Sequence, residues 1–351
     1  MKGIRKAILT VSLCAAMLVL ILDSKTALVC ARDGLKLCGH TVIPSLFPFF
    51  VISTMLTVTL TGCNLPFFAP LRRFCKMPIG SESLLIVGLL GGYPIGAKCI
   101  YDLWKRGQLS DEDAKRCLGF CNNAGPAFIF GMCGTLFAGS ESPWVLWAIH
   151  IVSALITGSI LPKKIVSKPC IASQADISLP KAMTQSITAL ASVCGWVVFF
   201  RIIIGFAQRW FLWLLPAEWQ VSIAGILELA NGCAGLAALE SEGVRFILCS
   251  LFLSLGGLCV GLQTVSVVGP LGIGMYFPGK VIQSILSTVM AFVFISVKNH
   301  VFSPTVSIIT VLTFPLLIWL LKKTVAFPAR FVYNVENACK GGFLCYSGKR
   351  S

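Results

Sequence analysis

The sequence predicts an all-α polytopic membrane protein of about eight transmembrane helices plus two re-entrant helical hairpins, arranged as an inverted repeat. Three observations carry that prediction. Of 351 residues, 56% are hydrophobic and 12% charged, where soluble domains carry about 25% charged residues. The apolar residues gather in runs near the roughly 20 residues that cross a hydrocarbon core. The 29 Lys and Arg fall mainly in short segments between those runs, so the net charge of +15 reads as topology rather than as a basic binding face, and no nucleic-acid partner is expected.

Taken in order, residues 7–22 follow Lys2, Arg5 and Lys6 and so fit the basic and apolar regions of a signal peptide. Ser24-Lys25-Thr26-Ala27 is a poor cleavage site and more spans follow, so an uncleaved first span is expected. Further spans are expected at 37–60, 117–138, 144–161, 183–206, 245–268, 281–297 and 304–321. Two apolar runs are interrupted: 84–104 by Gly88, Gly91, Gly92, Pro94 and Gly96, and 219–239 by Gly225, Asn231, Gly232 and Gly235. Backbone groups freed by such interruptions must be satisfied by protein or by a water-lined cavity.

Basic residues in short loops stay cytoplasmic, and this rule separates hairpins from spans. If both interrupted runs are re-entrant, one side holds the N-terminal charges, Arg72, Arg73, Lys76, Lys105, Arg106, Lys115, Arg116, Lys163, Lys164, Lys168, Lys181, Lys280 and the basic segment from Lys322 onward. Only Lys25, Arg32, Lys36, Arg209, Arg245 and Lys298 lie on the other. If both runs span, the two sides carry nearly equal charge. The re-entrant reading therefore predicts a multi-pass protein of the cell membrane with both termini cytoplasmic. It also divides the chain into an N-terminal anchor (1–29), a first repeat (30–165), a second, inverted repeat (166–300), and a last span with a basic segment (301–351). Broken helices meeting near the midplane of inverted repeats are the architecture of secondary transporters.

Ionisable groups in hydrocarbon are functional candidates by default. Lys98 lies four residues after Pro94 in the first hairpin, and Glu228 three residues before Asn231 in the second. If both tips reach mid-depth, the two charges are expected to share a polar cavity, against the alternatives that Lys98 snorkels and Glu228 is paired structurally. Arg201 is expected to reach an interface or a helix carbonyl, and His40 and His150 to sit near membrane edges. Asn122 and Asn123 precede Gly125-Pro126, where Pro bends the helix; their amides suit either a polar solute or an interhelical hydrogen bond. Ser254, Gln263, Thr264 and Ser266 hold the mirrored position, with Gly256 and Gly257 permitting close approach of another backbone. Gly92, Tyr93, Pro94, Gly96, Lys98, Asn122, Asn123, Glu228, Asn231, Gly232 and Gln263 form the expected solute site. The 16 cysteines are dispersed without a C-x-x-C pair, and read as packing residues. No metal or cofactor is expected. Between hairpin and span, Gly107 is expected to end a helix and Ser110-x-x-Asp113 to start the next, with Asp111–Lys115 and Glu112–Arg116 as i,i+4 pairs.

The stretch Gly92-Tyr93-Pro94-Ile95-Gly96-Ala97-Lys98, followed by Phe120-Cys121-Asn122-Asn123-Ala124-Gly125-Pro126-Ala127-Phe128, resembles the YlbJ-type sporulation integral membrane proteins of the nucleoside-recognition or Gate domain group. Pro44-Ser45-Leu46-Phe47-Pro48, Glu228-Leu229-Ala230-Asn231-Gly232 and Leu255-Gly256-Gly257 through Gln263 are similar to that family too. Gly261 and Ala230-Asn231 depart from it, where a histidine and a threonine-bearing pair are usual. The resemblance implies a membrane protein of endospore formers, needed for a mature spore, with a scaffold similar to concentrative nucleoside transporters.

The leading expectation is a transporter-like core that moves or recognises a small polar solute. The alternative is a scaffold or assembly protein of the spore envelope that does not transport. An enzyme is not expected, since no nucleophile–base arrangement, phosphate loop or paired carboxylates are present. The partners to look for are membrane lipid, the solute, a coupling ion and a second copy of the chain.

Overall fold

A computed structural model describes residues 2–60, 63, 65–137, 140, 142–163, 177–298, 318 and 321. The regular structure of the described residues is helix, with no strand among them. The chain runs through α1 (Lys2–Leu22), α2 (Ser24–Leu37), a π turn (Cys38–Val42) and α3 (Ile43–Leu60). After α4 (Ala69–Phe74) come α5 (Glu82–Leu90), α6 (Ile95–Lys105), α7 (Asp111–Leu118), α8 (Pro126–Gly131), a 3-10 turn (Cys133–Phe137) and α9 (Ser142–Ile160). The second half holds α10 (Leu179–Trp210), α11 (Ala217–Leu227), α12 (Leu229–Gly235), α13 (Glu242–Leu255), α14 (Gly257–Val268) and α15 (Tyr276–Lys298).

Among the described residues, five helical runs are long and apolar enough to cross a membrane: Ser24–Leu60, Ser142–Ile160, Leu179–Trp210, Glu242–Leu271 and Tyr276–Lys298. The protein is therefore a multi-pass membrane protein that contacts lipid along these helices. The other expected spans differ for physical reasons. The apolar part of α1, Lys6–Leu22, is shorter than the five. Residues 117–138 are not one span, because the helix stops at Leu118 and restarts only at Pro126. The span expected at 304–321 and the basic segment beyond it lie outside the described residues, apart from Ile318 and Leu321.

Lys25, Arg32 and Lys36, expected in an outer loop, lie instead on α2, which continues through the π turn into α3. The turn has a local cause. Pro44 has no N–H to bond one helical turn back, and its ring crowds the carbonyl there, so the helix widens before it. α2 and α3 pack against α10, while α15 packs against α9 and α13. The helical hairpins α5–α6 and α11–α12 lie among these runs, each touching α14.

The connector follows the sequence expectation except at one residue. Gly107 takes φ +70°, Ser110 Oγ accepts from Asp113 N at 3.1 Å, and Asp111 pairs with Lys115 at 2.7 Å. Arg116 does not pair with Glu112 on a solvated turn. It is 3% exposed and donates to the carbonyls of Cys75, Lys76, Gly158 and Leu161, because a guanidinium carries five donors that can close several freed carbonyls at once.

Candidate functional site

The glycines of the first hairpin have a packing reason. A Cβ on Gly88 or on Gly96 would collide with the carbonyl of Cys121, so only glycine lets both arms, α5 and α6, lie against the break between α7 and α8. At the tip, Gly92 takes φ +78° and faces Gly125, which joins hairpin and break backbone to backbone. Asn122 closes the seam: its Oδ1 accepts from Ala97 N at 3.2 Å, one of the unpaired donors at the start of α6, and its Nδ2 donates to Thr264 Oγ1 on α14 at 3.1 Å. Pro126 then restarts the helix at its first position, where the missing N–H costs nothing.

A second hairpin, α11–α12, and a second helix break lie in the other half of the chain. Gly232 on α12 packs on Gly225 of α11 without room for a Cβ. Between the arms, Glu228 is extended and caps α12, its carboxylate accepting from Ala230 N at 3.0 Å, Asn231 N at 2.6 Å and Asn231 Nδ2 at 2.7 Å. The helix that follows also breaks: Gly256 and Gly257 take φ +75° and +76° between α13 and α14. The carbonyls of Gly225, Ile226 and Leu227 approach Gly257, and the Tyr93 ring approaches Gly256. Tyr93 Oη donates to Leu253 O at 3.3 Å, satisfying one of the carbonyls freed at the end of α13.

At the meeting of the two breaks lies a lysine with no exposed surface. Lys280 on α15 is 0% exposed; its Nζ donates to Asn123 Oδ1 at 2.9 Å and Gln283 Oε1 at 2.8 Å. The same Nζ sits 5.3 Å from the centroid of the Tyr93 ring, within cation–π range. Asn123 is held in turn by its Nδ2, which donates to Phe120 O at 2.7 Å. Gln283 Nε2 donates to His150 O at 3.5 Å, and His150 Nδ1 lies 3.3 Å from Ser254 Oγ. The direct partners of this buried ammonium are neutral carbonyl oxygens and a ring.

Tyr93 also lines a cavity of about 40 Å³. Gly92 and Tyr93 reach it from the first hairpin and Glu228 to Ala230 from the second, with Ala124 and Gly125 from the first break and Gln263 from α14. The volume holds water but not a larger solute. Helix termini from both halves thus converge on one small cavity, and Tyr93 in its lining also touches the buried Lys280.

Part of the chain is similar to a sporulation integral membrane protein. Over 134 residues it is 34% identical to the sporulation integral membrane protein YlbJ of Bacillus subtilis (strain 168). The matched stretch covers 36% of this chain, which spans about a third (32%) of that relative. No family model matches the chain, and no solved structure matches it.

Of the expected site residues, the cavity gathers Gly92, Tyr93, Glu228 and Gln263. Asn122 and Asn123 lie at the adjoining break, Gly96 serves close packing, and Pro94 precedes α6 as its cap residue. Asn231 and Gly232 hold the second hairpin together. Lys98 and Glu228 are not paired: Lys98 Nζ reaches Gln185 Oε1 on α10 at 3.4 Å, while Glu228 is used by its own hairpin. Three expectations are corrected. Lys280 is inside rather than in a cytoplasmic loop, because α15 starts at Tyr276 and not at 281. His150 is 2% exposed, at the centre of the fold rather than at a membrane edge. Arg201 ends not on a helix carbonyl but on Asp33 of α2 at 3.3 Å and Gln208 at 3.1 Å. A signal for Lys280 was present, since Met275-Tyr276-Phe277-Pro278 extends the apolar run ahead of it.

Proposed function

We propose that this chain is a sporulation-associated membrane protein whose transporter-like core moves or recognises a small polar solute during spore maturation and cortex formation. Nucleoside-like solutes are the first class to test. The observation that supports it best is the cavity lined by the tips of both hairpins, whose lining residue Tyr93 also touches the buried Lys280. In this reading α5–α6 and α11–α12 enter the lipid from opposite faces, as inverted repeats of the type found in secondary transporters do. Lys280, Asn123 and Gln283 then form a preformed polar set that a solute would join when the hairpins part.

A scaffold role in the spore envelope is the second reading. It is favoured by the same small volume and by the way the polar groups already satisfy one another. Purified chain in liposomes, tested with nucleosides, nucleotide precursors and cell-wall precursors, separates the two. Binding or uptake of one class, reduced at least tenfold by Asn123→Ala, supports the solute reading. Absence of binding to all three classes, with spore resistance unchanged in Asn123→Ala at normal protein level, supports the scaffold.

A further inference from the structure

Cys133, Cys233 and Cys249 come from three separate elements, the 3-10 turn after α8, the second arm of the second hairpin, and α13. All three are buried, and their Sγ atoms lie within 4.8 Å of one another. Cys133 Sγ and Cys233 Sγ are 3.9 Å apart. A metal–thiolate bond of about 2.3 Å sets three donors in a plane about 4 Å from each other, so this spacing suits a single ion at the centre. Among the described residues this is the one group of three such donors with that spacing.

We propose that Cys133, Cys233 and Cys249 form a three-coordinate thiolate site for a soft monovalent cation, Cu(I). The donor set makes the selection. Thiolates favour Cu(I), zinc and iron–sulfur clusters; zinc takes four ligands, with water as the fourth where the protein supplies three, and this cluster offers three buried thiols. An iron–sulfur cluster places iron and inorganic sulfide between its cysteines, which needs sulfurs set farther apart. The surroundings are apolar: Phe137 and Phe246, from two of the same elements, stack edge to face with centroids 5.8 Å apart, and Phe246 packs on Phe294 at 5.1 Å. Each copper–sulfur bond to a thiolate forms as that thiol's proton leaves, with no change in the oxidation state of sulfur or copper. A bound ion ties α12 to α13 and to the first half of the chain.

The test uses the reduced full-length protein in detergent, with Cu(I) supplied against a competing chelator, bathocuproine disulfonate. Retention of one Cu(I) per chain is expected, with a rise in melting temperature and a sulfur-only first shell by X-ray absorption. Cys249→Ser should weaken retention by more than the roughly 10–100-fold that loss of an outer-shell partner costs, whereas Cys75→Ser, a buried cysteine elsewhere, should leave it unchanged. No retained copper, equal retention in the Cys133→Ser/Cys233→Ser/Cys249→Ser variant, or a nitrogen- or oxygen-containing shell in the unaltered protein would overturn the proposal. The spectrum of the unaltered protein decides the matter even if the variants fail to fold.

Discussion

Lys280 Nζ lies 2.9 Å from Asn123 Oδ1, joining a helix of the second half to the helix break of the first across 157 residues of sequence. Taking a hydrogen-bond partner from a buried polar group costs about 1–3 kcal/mol, more where the stranded group is charged, so losing an acceptor of Lys280 costs more than stranding a neutral amide oxygen. Asn123→Ala should therefore destabilise the protein more than Lys280→Met does. The double variant should be more stable than Asn123→Ala alone. Thermal melting in detergent checks the order, and additive losses would show that the contact carries no coupling.

The glycine face of the first hairpin predicts a sharp contrast between positions. Gly88→Ala and Gly96→Ala each drive a methyl into the Cys121 carbonyl, and overpacking of this kind costs about 1–3 kcal/mol or more. At Gly195, in the middle of α10, a Cβ meets nothing within 4 Å. Gly195→Ala is expected to stabilise by about 0.5–1 kcal/mol through helix propensity. Melting curves of the three variants provide the comparison.

Tyr93 performs two tasks that substitution can part. Tyr93→Phe removes the hydrogen bond to Leu253 O but keeps the ring beside Lys280, at a cost of about 1 kcal/mol. Tyr93→Ala loses both contacts and opens the cavity wall, for about 3–5 kcal/mol. If the two variants melt at the same temperature, the ring does not support Lys280.

At the edge of the first hairpin, Arg72 Nε pairs with Glu82 Oε1 at 2.6 Å, and the Glu82 side chain has 0% exposure. Arg72→Ala should cost about 3–5 kcal/mol by leaving a buried carboxylate alone. Adding Glu82→Gln to that variant should recover part of the loss, which chemical or thermal unfolding will register.

The proposal that α5–α6 and α11–α12 enter the lipid from opposite faces is open to labelling. With Gln108→Cys on the connector after α6 and Glu240→Cys before α13, a membrane-impermeant maleimide should reach Glu240→Cys from outside and Gln108→Cys only after the membrane is opened. Labelling of both from the same side would remove the inverted arrangement.

Much of this fold was legible in the sequence. Apolar runs of sufficient length indicated the spans from 144, 183, 245 and 281, since a hydrocarbon core demands that length whatever the neighbours are. Gly88, Gly92 and Gly96, and Gly225 and Gly232, marked the interrupted helices because a position without a Cβ has a local cause. Ser110 and Gly107 marked their helix ends for the same kind of reason. The tertiary structure alone decided which polar groups meet. Lys280 read as a loop charge and His150 as an edge residue, and both became central because α9 and α15 bring them against the breaks at Asn123 and Ser254. Arg116 and Arg201 found carbonyls or a carboxylate on distant segments, and the sulfurs of Cys133, Cys233 and Cys249, from both halves of the chain, came within 4.8 Å of one another. Periodicity and composition report on the nearest turn of chain and on the solvent; a hydrogen bond between residues 123 and 280 exists only once the helices between them are packed.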